Sequence, residues 1–398
     1  MTTSIFGSVV HRVEDPRFLT GDSRYVDDLP ADGALRACFV RSIMAHARIL
    51  GVDTSEAAAM PGVAAVLLAR DLDLSPQPPS DEVEGPFERP VLAEDVVRYV
   101  GEPVALVLAE TAAQAQDAAE TVMVDLDPLD VVIGPEAAAD PRAALLFPTA
   151  GSNVAAGSDE RWEEDVLAEA DLVVRLRVRH QRLAPVPMEA NALLVEPGDD
   201  GRLTLWVSTQ VPFDVRDDVA ERLGLERDAV RVVAPDVGGG FGAKLQIYPE
   251  YLACAAAAVG LGRRVAWTET RSESMVGLTH GRAQIHDVEL GSTRDGRLVG
   301  LRVDLLADMG AYPIAAYLPP TTRSMLPGAY DIPRAAWRTR AVVTNTTPVG
   351  PYRGAGRPEA TLSIERAMDA LASELGIDPV DLRRRNLVPS DAFPYTSA

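Results

Sequence analysis

The sequence predicts an α+β fold, and three observations predict it. Short apolar runs of strand length alternate with Ala-rich helical stretches along the whole chain. Roughly the first 140 residues contain no glycine-rich loop of the kind that opens a nucleotide-binding βαβ unit. The same mixture returns on a larger scale beyond residue 164, after a stretch rich in Ala, Gly, Pro and acidic residues. A chain of 398 residues has room for two or three domains and a large core.

In chain order, Val63–Ala69 and Val104–Ala109 read as strands, separated by the Pro-rich polar stretch Ser75–Pro90, a long surface loop. Thr111 caps a helix running to about Glu120, and Thr121–Leu126 returns as a strand. Residues 1–135 form a first unit, 136–164 a linker, and 165–398 a second unit. In the second unit Arg175–Arg179 alternates Arg with Leu and Val, a half-exposed strand. Leu203–Thr209, Arg231–Ala234, Arg264–Thr268, Ala283–Leu290 and Leu298–Leu306 are further strands. Asp214–Leu223 and Glu250–Val259 are helical, and Pro358–Leu375 places Ile364, Met368, Leu371 and Leu375 near one face.

Composition removes several functions. A net charge of −21 with no basic stripe leaves nothing to neutralise nucleic-acid phosphates, and it disfavours an anionic membrane surface. The start of the chain is polar, and no apolar run reaches the ~18 residues of a membrane span, so a cytoplasmic protein is expected. Cys38 and Cys254 are too few to ligate an iron–sulfur cluster or an all-cysteine zinc site, and read as buried free thiols. The five histidines lack metal-site spacing, and no GxSxG elbow is present.

Gly238-Gly-Gly-Phe-Gly-Ala-Lys244 is the most informative segment, because Lys244 is the only lysine and every other basic residue is arginine. Its glycines let backbone pass close to another body, and its N–H groups can converge on an anion or oxo group. A Walker A reading fails, since Ala243 precedes the lysine and Leu245 follows it. A dinucleotide fingerprint through Gly238, Gly240 and Ala243 fits on paper, although Tyr248 and Pro249 stand where a helix should be under way. Pro351-Tyr-Arg-Gly-Ala-Gly-Arg357 is a second small-residue loop, leading into the last helix with two arginines for charge-assisted contacts. Ser208-Thr209-Gln210 ends a strand with an amide side chain, and Arg182–Glu189 is a stiff Pro-rich loop ending in a carboxylate.

Taken in order, these segments resemble the large, molybdopterin-binding subunit of the molybdenum hydroxylases, the family of xanthine dehydrogenase, aldehyde oxidase and carbon-monoxide dehydrogenase. The resemblance runs from Arg12-Val-Glu-Asp15 and Arg24-Tyr-Val-Asp-Asp28 through Val100-Gly-Glu-Pro-Val104 and Pro187-Met-Glu189. It continues through Leu205–Gln210 and the glycine loop to Tyr352–Arg357. It implies an α/β hammerhead domain followed by the first molybdopterin-binding domain, with the second absent. It further implies that Gln210, Gly240, Phe241, Gly242 and Arg353 bind molybdopterin, in its cytosine dinucleotide form, and that Leu245, Gly354 and Ala355 line the substrate pocket. The implied reaction is hydroxylation of an aldehyde or N-heterocycle with water as oxygen donor. FAD and 2Fe-2S would sit on partner medium and small subunits.

Departures from the family are equally specific. Gly354 stands where carbon-monoxide dehydrogenases carry a copper-bridging cysteine. Leu245 and Ala355 stand where xanthine dehydrogenases carry a glutamate and a phenylalanine, which disfavours purines. The family's base, a glutamate in a Gly-x-Gly-Glu context, lies in a C-terminal half beyond the pattern seen here. A complementary C-terminal piece is therefore expected as a partner, and the chain alone is not expected to turn over. The alternative is a non-catalytic scaffold that keeps the fold without the cofactor.

Overall fold

The computed structural model describes residues 6–397; residues 1–5 and 398, the outer ends of the two expected units, lie outside the described residues. The first strands are β1 (Leu35–Arg41), β2 (Ala47–Asp53), β3 (Val63–Leu67), β4 (Val96–Val97), β5 (Pro103–Ala109) and β6 (Met123–Pro128). Then come β7 (Val154–Glu160), β8 (Leu172–Leu183), β9 (Ala192–Pro197), β10 (Leu203–Val207) and β11 (Val230–Val233). The last are β12 (Val265–Thr268), β13 (Gly281–Ser292), β14 (Leu298–Asp308) and β15 (Ala335–Val342). They form sheets ordered β11-β10-β9-β12-β1-β5-β3, β7-β15-β14-β13-β8 and β4-β2-β6.

The largest sheet does not respect the expected division at residues 136–164. Its β1 runs parallel to β12, with Leu35 opposite Val265 and Arg36 opposite Ala266, so early and late strands share one layer. In β5 every residue is buried, as a continuous apolar run between two neighbours requires. Helix Pro249–Leu261 lies against this sheet; its Leu, Ala and Cys residues are buried almost all round, with Cys254 wholly enclosed and Cys38 only half-buried. Helix Arg357–Leu375 buries Ile364, Ala367, Met368 and Leu371 in a second core on the five-stranded sheet. It stops at Gly376, whose φ of 66° suits a glycine cap.

Two expectations change. The stretch assigned to a linker contains β7, which pairs antiparallel with β15 from Val154 opposite Val342 to Glu160 opposite Trp337. The Ser75–Pro90 loop is not merely superficial. Phe87 and Arg89 are buried, Gln77 bridges to Arg89, and the Gln77 amide donates to the Ile247 carbonyl at 3.0 Å. By contrast β8 behaves as its alternation demands. Its Arg175 pairs with Glu289, and Arg177 and Arg179 share Glu136, which places charge along an exposed sheet edge. No helix among the described residues is long and apolar enough to cross a membrane.

Buried ion pairs lie where early and late segments meet. Arg41 of β1 bonds Glu250 at 2.6 Å, Glu273 at 3.1 Å and the Gly101 carbonyl at 3.1 Å. Arg41→Met would leave the Glu250 carboxylate buried without its cation, at a cost of about 3–5 kcal/mol in urea unfolding. A cost near zero would show that the junction does not depend on the pair. Nearby, burial pushes the Glu269 carboxyl from 4.5 up to about 8. A raised acid pKa stabilises the fold at low pH, and that contribution is lost as pH rises toward 8, by up to about 1.4 kcal/mol per pH unit. Glu269→Gln should flatten the decline between pH 5 and 8; an unchanged slope would assign it to other groups.

Candidate functional site

The glycine loop follows β11 but opens no helix: it turns through residues 238–242 into a three-ten turn at Ala243–Leu245, and the next helix begins at Pro249. The dinucleotide-binding alternative therefore loses its geometry. Phe241 holds φ at 54° and Gly242 at 99°. A Cβ on Gly242 would stand 2.6 Å from the Pro351 carbonyl oxygen, so only glycine lets the two loops touch here.

Gln210, Phe241, Gly242 and Arg353 are brought together. The Gly242 N–H donates to Gln210 Oε1 at 2.9 Å, and the Arg353 N–H donates to the Phe241 carbonyl at 2.9 Å. Gly240 packs on the Gln210 side chain with no space for a Cβ. The N–H of Gly242, one of the residues expected to bind molybdopterin, is thus already spent on Gln210. Gly354 is exposed and Ala355 half-buried, both directly after that link, and Leu245 closes the three-ten turn with its side chain partly in solvent.

Beneath the loop lies a charged knot. Lys244 is 0% exposed, and its ammonium donates to Ser208 Oγ at 2.6 Å and to the Glu189 carbonyl at 2.9 Å, with Glu189 Oε2 at 3.2 Å. Glu189 Oε2 also accepts from Ser208 Oγ at 2.6 Å and from the Gly238 N–H at 2.7 Å. The Lys244 carbonyl receives the Gln210 N–H at 2.9 Å. Burial lowers the Lys244 pKa, and the Glu189 carboxylate opposes that shift.

Arg282 was invisible as a site residue in the sequence. It sits at φ 66° and donates to the Tyr352 carbonyl at 2.9 Å and the Arg353 carbonyl at 2.8 Å, with Glu359 at 3.4 Å behind it. It thereby holds the second loop from below. Among the described residues, seven non-glycine positions have positive φ, and Val186, Phe241, Arg282, Ala283 and Ala355 all belong to this neighbourhood. Such strain concentrates where backbone is held for a purpose.

The face this creates carries donors. Among the described residues no acceptor meets the Gly239, Gly240 or Phe241 N–H, or the Gln210 amide nitrogen, and no carboxylate pairs with the Arg353 side chain. An anionic, phosphate- and oxo-bearing group fits a set of this kind; a cation does not. Beside the donors lie exposed apolar side chains: Met188 (93%), Val186 (44%) and Phe241 (43%).

Comparison with known proteins agrees with this chemistry. The molybdopterin cofactor-binding domain matches residues 146–387, and the aldehyde oxidase and xanthine dehydrogenase a/b hammerhead domain matches residues 20–130. The chain belongs to the molybdenum hydroxylase large subunits. It is 37% identical to the nicotine 6-hydroxylase large subunit of Paenarthrobacter nicotinovorans, covering all of this chain and 50% of that one. Quinoline 2-oxidoreductase from Pseudomonas putida 86 superimposes with a TM-score of 0.93 at 36% identity, over 98% of this chain and 51% of that one. The chain thus spans about half the length of these relatives. The nicotinate dehydrogenase large molybdopterin subunit of Eubacterium barkeri is nearer in size: the match, at 29% identity, covers 96% of this chain and 89% of that one.

Gly242→Ala tests the contact between the loops. It should destabilise the fold by at least about 2 kcal/mol and expose the Gly238–Gly242 backbone to faster hydrogen exchange. Wild-type stability and exchange would mean that the loops part without cost.

Proposed function

We propose that this chain forms one half of the cofactor shell of a molybdenum hydroxylase, one that oxidatively hydroxylates an N-heterocycle or aldehyde with water as oxygen donor. The donor-only face built from Gln210, the glycine loop and Arg353 carries the proposal. When bound, molybdopterin, in its cytosine dinucleotide form, supplies the two-electron redox centre for oxygen transfer from water. The chain's residues bind and orient it. The Gln210 amide nitrogen and the free N–H groups of Gly239, Gly240 and Phe241 donate to its oxygens, and the Arg353 guanidinium balances its charge.

Substrate would lie over Gly354, which has no side chain, and Ala355, whose methyl leaves room for a ring, beside the apolar Leu245. Nicotine and quinoline, named for two relatives, are N-heterocycles, which favours that class here. Gly354 has no thiol for a copper bridge, and Leu245 and Ala355 offer neither a hydrogen-bond partner nor a stacking face for a purine. Glu189 has Oε2 tied to Lys244, Ser208 and Gly238 and Oε1 buried away from solvent, and we do not assign it as base. The base comes from a second half that covers Met188, Val186 and Phe241, with FAD and 2Fe-2S on medium and small subunits.

The complex isolated from its native cells through this chain should contain about one molybdenum per chain, reducible by N-heterocycles. Arg353→Ala should lower the molybdenum content at least tenfold while the fold persists. A metal-free complex would favour a scaffold instead. The denatured mass, 42.6 kDa or about twice that, tells whether the second half is a separate polypeptide.

A further inference from the structure

We propose that Lys244, clamped between Glu189 and Ser208, is the positioning residue of the cofactor face. Its buried ammonium sets the shape of the Gly238–Gly242 loop and the placement of Gln210. The inference rests on the functional reading above but concerns residues that touch neither cofactor nor substrate.

The geometry joins three chain segments through one cation. The ammonium has three protons, and three oxygens surround it: Ser208 Oγ at 2.6 Å, the Glu189 carbonyl at 2.9 Å and Glu189 Oε2 at 3.2 Å. Ser208 directly follows β10 on the way to Gln210, and Glu189 ends the Pro-rich loop. Glu189 then grips the glycine loop from both sides. Its carboxylate accepts the Gly238 N–H at 2.7 Å, and its own N–H donates to the Gly238 carbonyl at 3.1 Å. A Cβ on Gly238 would stand 2.5 Å from the Glu189 Cβ, so the two backbones are pressed together.

The other end of Lys244 works on Gln210. The Lys244 carbonyl accepts the Gln210 N–H at 2.9 Å and the Thr209 hydroxyl at 3.2 Å. Gln210 in turn receives the Gly242 N–H at 2.9 Å. A closed circuit therefore runs from Lys244 through Glu189 to Gly238, and from Lys244 through Gln210 back to Gly242. Without the ammonium, Glu189 and Ser208 lose their shared donor and the circuit opens at its centre.

The chemistry also explains why lysine survives here alone. Arginine carries five N–H donors in a rigid planar fork, whereas this enclosure presents the three oxygens that the ammonium fills and one further buried acceptor, Glu189 Oε1. A guanidinium would bury unpaired donors and push the glycine loop outward.

The test compares two variants with wild type in the native complex. Lys244→Met alone leaves Glu189 unpaired and should lower Tm. Lys244→Met combined with Glu189→Gln removes both charges and should recover most of that loss. In the double variant, hydrogen exchange of the peptide spanning Gly238–Gly242 should nonetheless be at least tenfold faster than in wild type. The electron paramagnetic resonance spectrum of the partly reduced complex should also be displaced, because the donors facing the cofactor have moved. A merely stabilising lysine would return wild-type exchange and an unmoved spectrum once Tm is recovered, and that result overturns the proposal. If the double variant does not fold, Ser208→Ala keeps the ion pair and removes one acceptor. Faster loop exchange in it supports the clamp, and wild-type exchange overturns it. Exchange is read with or without molybdenum, so a metal-free wild type would refute the cofactor reading and leave the clamp separately testable.

Discussion

The arrangement of the whole site depends on the short parallel pairing of β1 with β12. Two opposed residue pairs, Leu35 with Val265 and Arg36 with Ala266, join the early strands β1, β5 and β3 to strands that carry the site. Through them β5, β1, β12, β9 and β10 become one layer, and Gln210 stands just past the end of β10, after Ser208 and Thr209. Helix Pro249–Leu261 packs on that layer with small side chains, close enough for its Tyr251 hydroxyl to reach Asn191 at 3.2 Å. Arg41 then ties the end of β1 to the first turn of that helix. Hydrophobic burial supplies the adhesion, and the buried pairs leave neither Arg41 nor Glu250 without a partner at this junction.

Much of this was legible in the sequence, and the exceptions have physical causes. β5 announced itself by an unbroken apolar run, and helix Arg357–Leu375 by its 3.6-residue spacing, whereas the short helix Pro379–Asn386 that follows it was not foreseen. β7 did not, because Ala-Ala-Gly-Ser-Asp has neither branched side chains nor alternation; its strand state comes from the partner edge of β15. The Ser75–Pro90 loop looked superficial because its Pro and acidic content is high. Its burial depends on Phe87 and Arg89 meeting residues far along the chain, such as Phe147 and Tyr312. The site shows the same division. Gln210, Phe241, Gly242 and Arg353 were marked by motif, and they do converge. Arg282 carries no motif at all; only its left-handed backbone and its two carbonyl partners reveal its place.

The site separates two electrostatic tasks across one thickness of backbone. Outward, amides and a guanidinium offer positive partial charge without a neighbouring carboxylate. Inward, a single ammonium is consumed entirely by oxygens of the protein.

That inward placement has a consequence for the chemistry of the whole molecule. A folded chain whose lone lysine is sealed from solvent shows no side-chain amine to the outside. Acylating reagents, amine-directed cross-linkers and enzymes that acetylate or ubiquitinate lysine find no side chain to modify until the chain opens at the very point where its loops are joined. Side-chain amine labelling of this protein is thus a chemical clock for the integrity of its glycine loop.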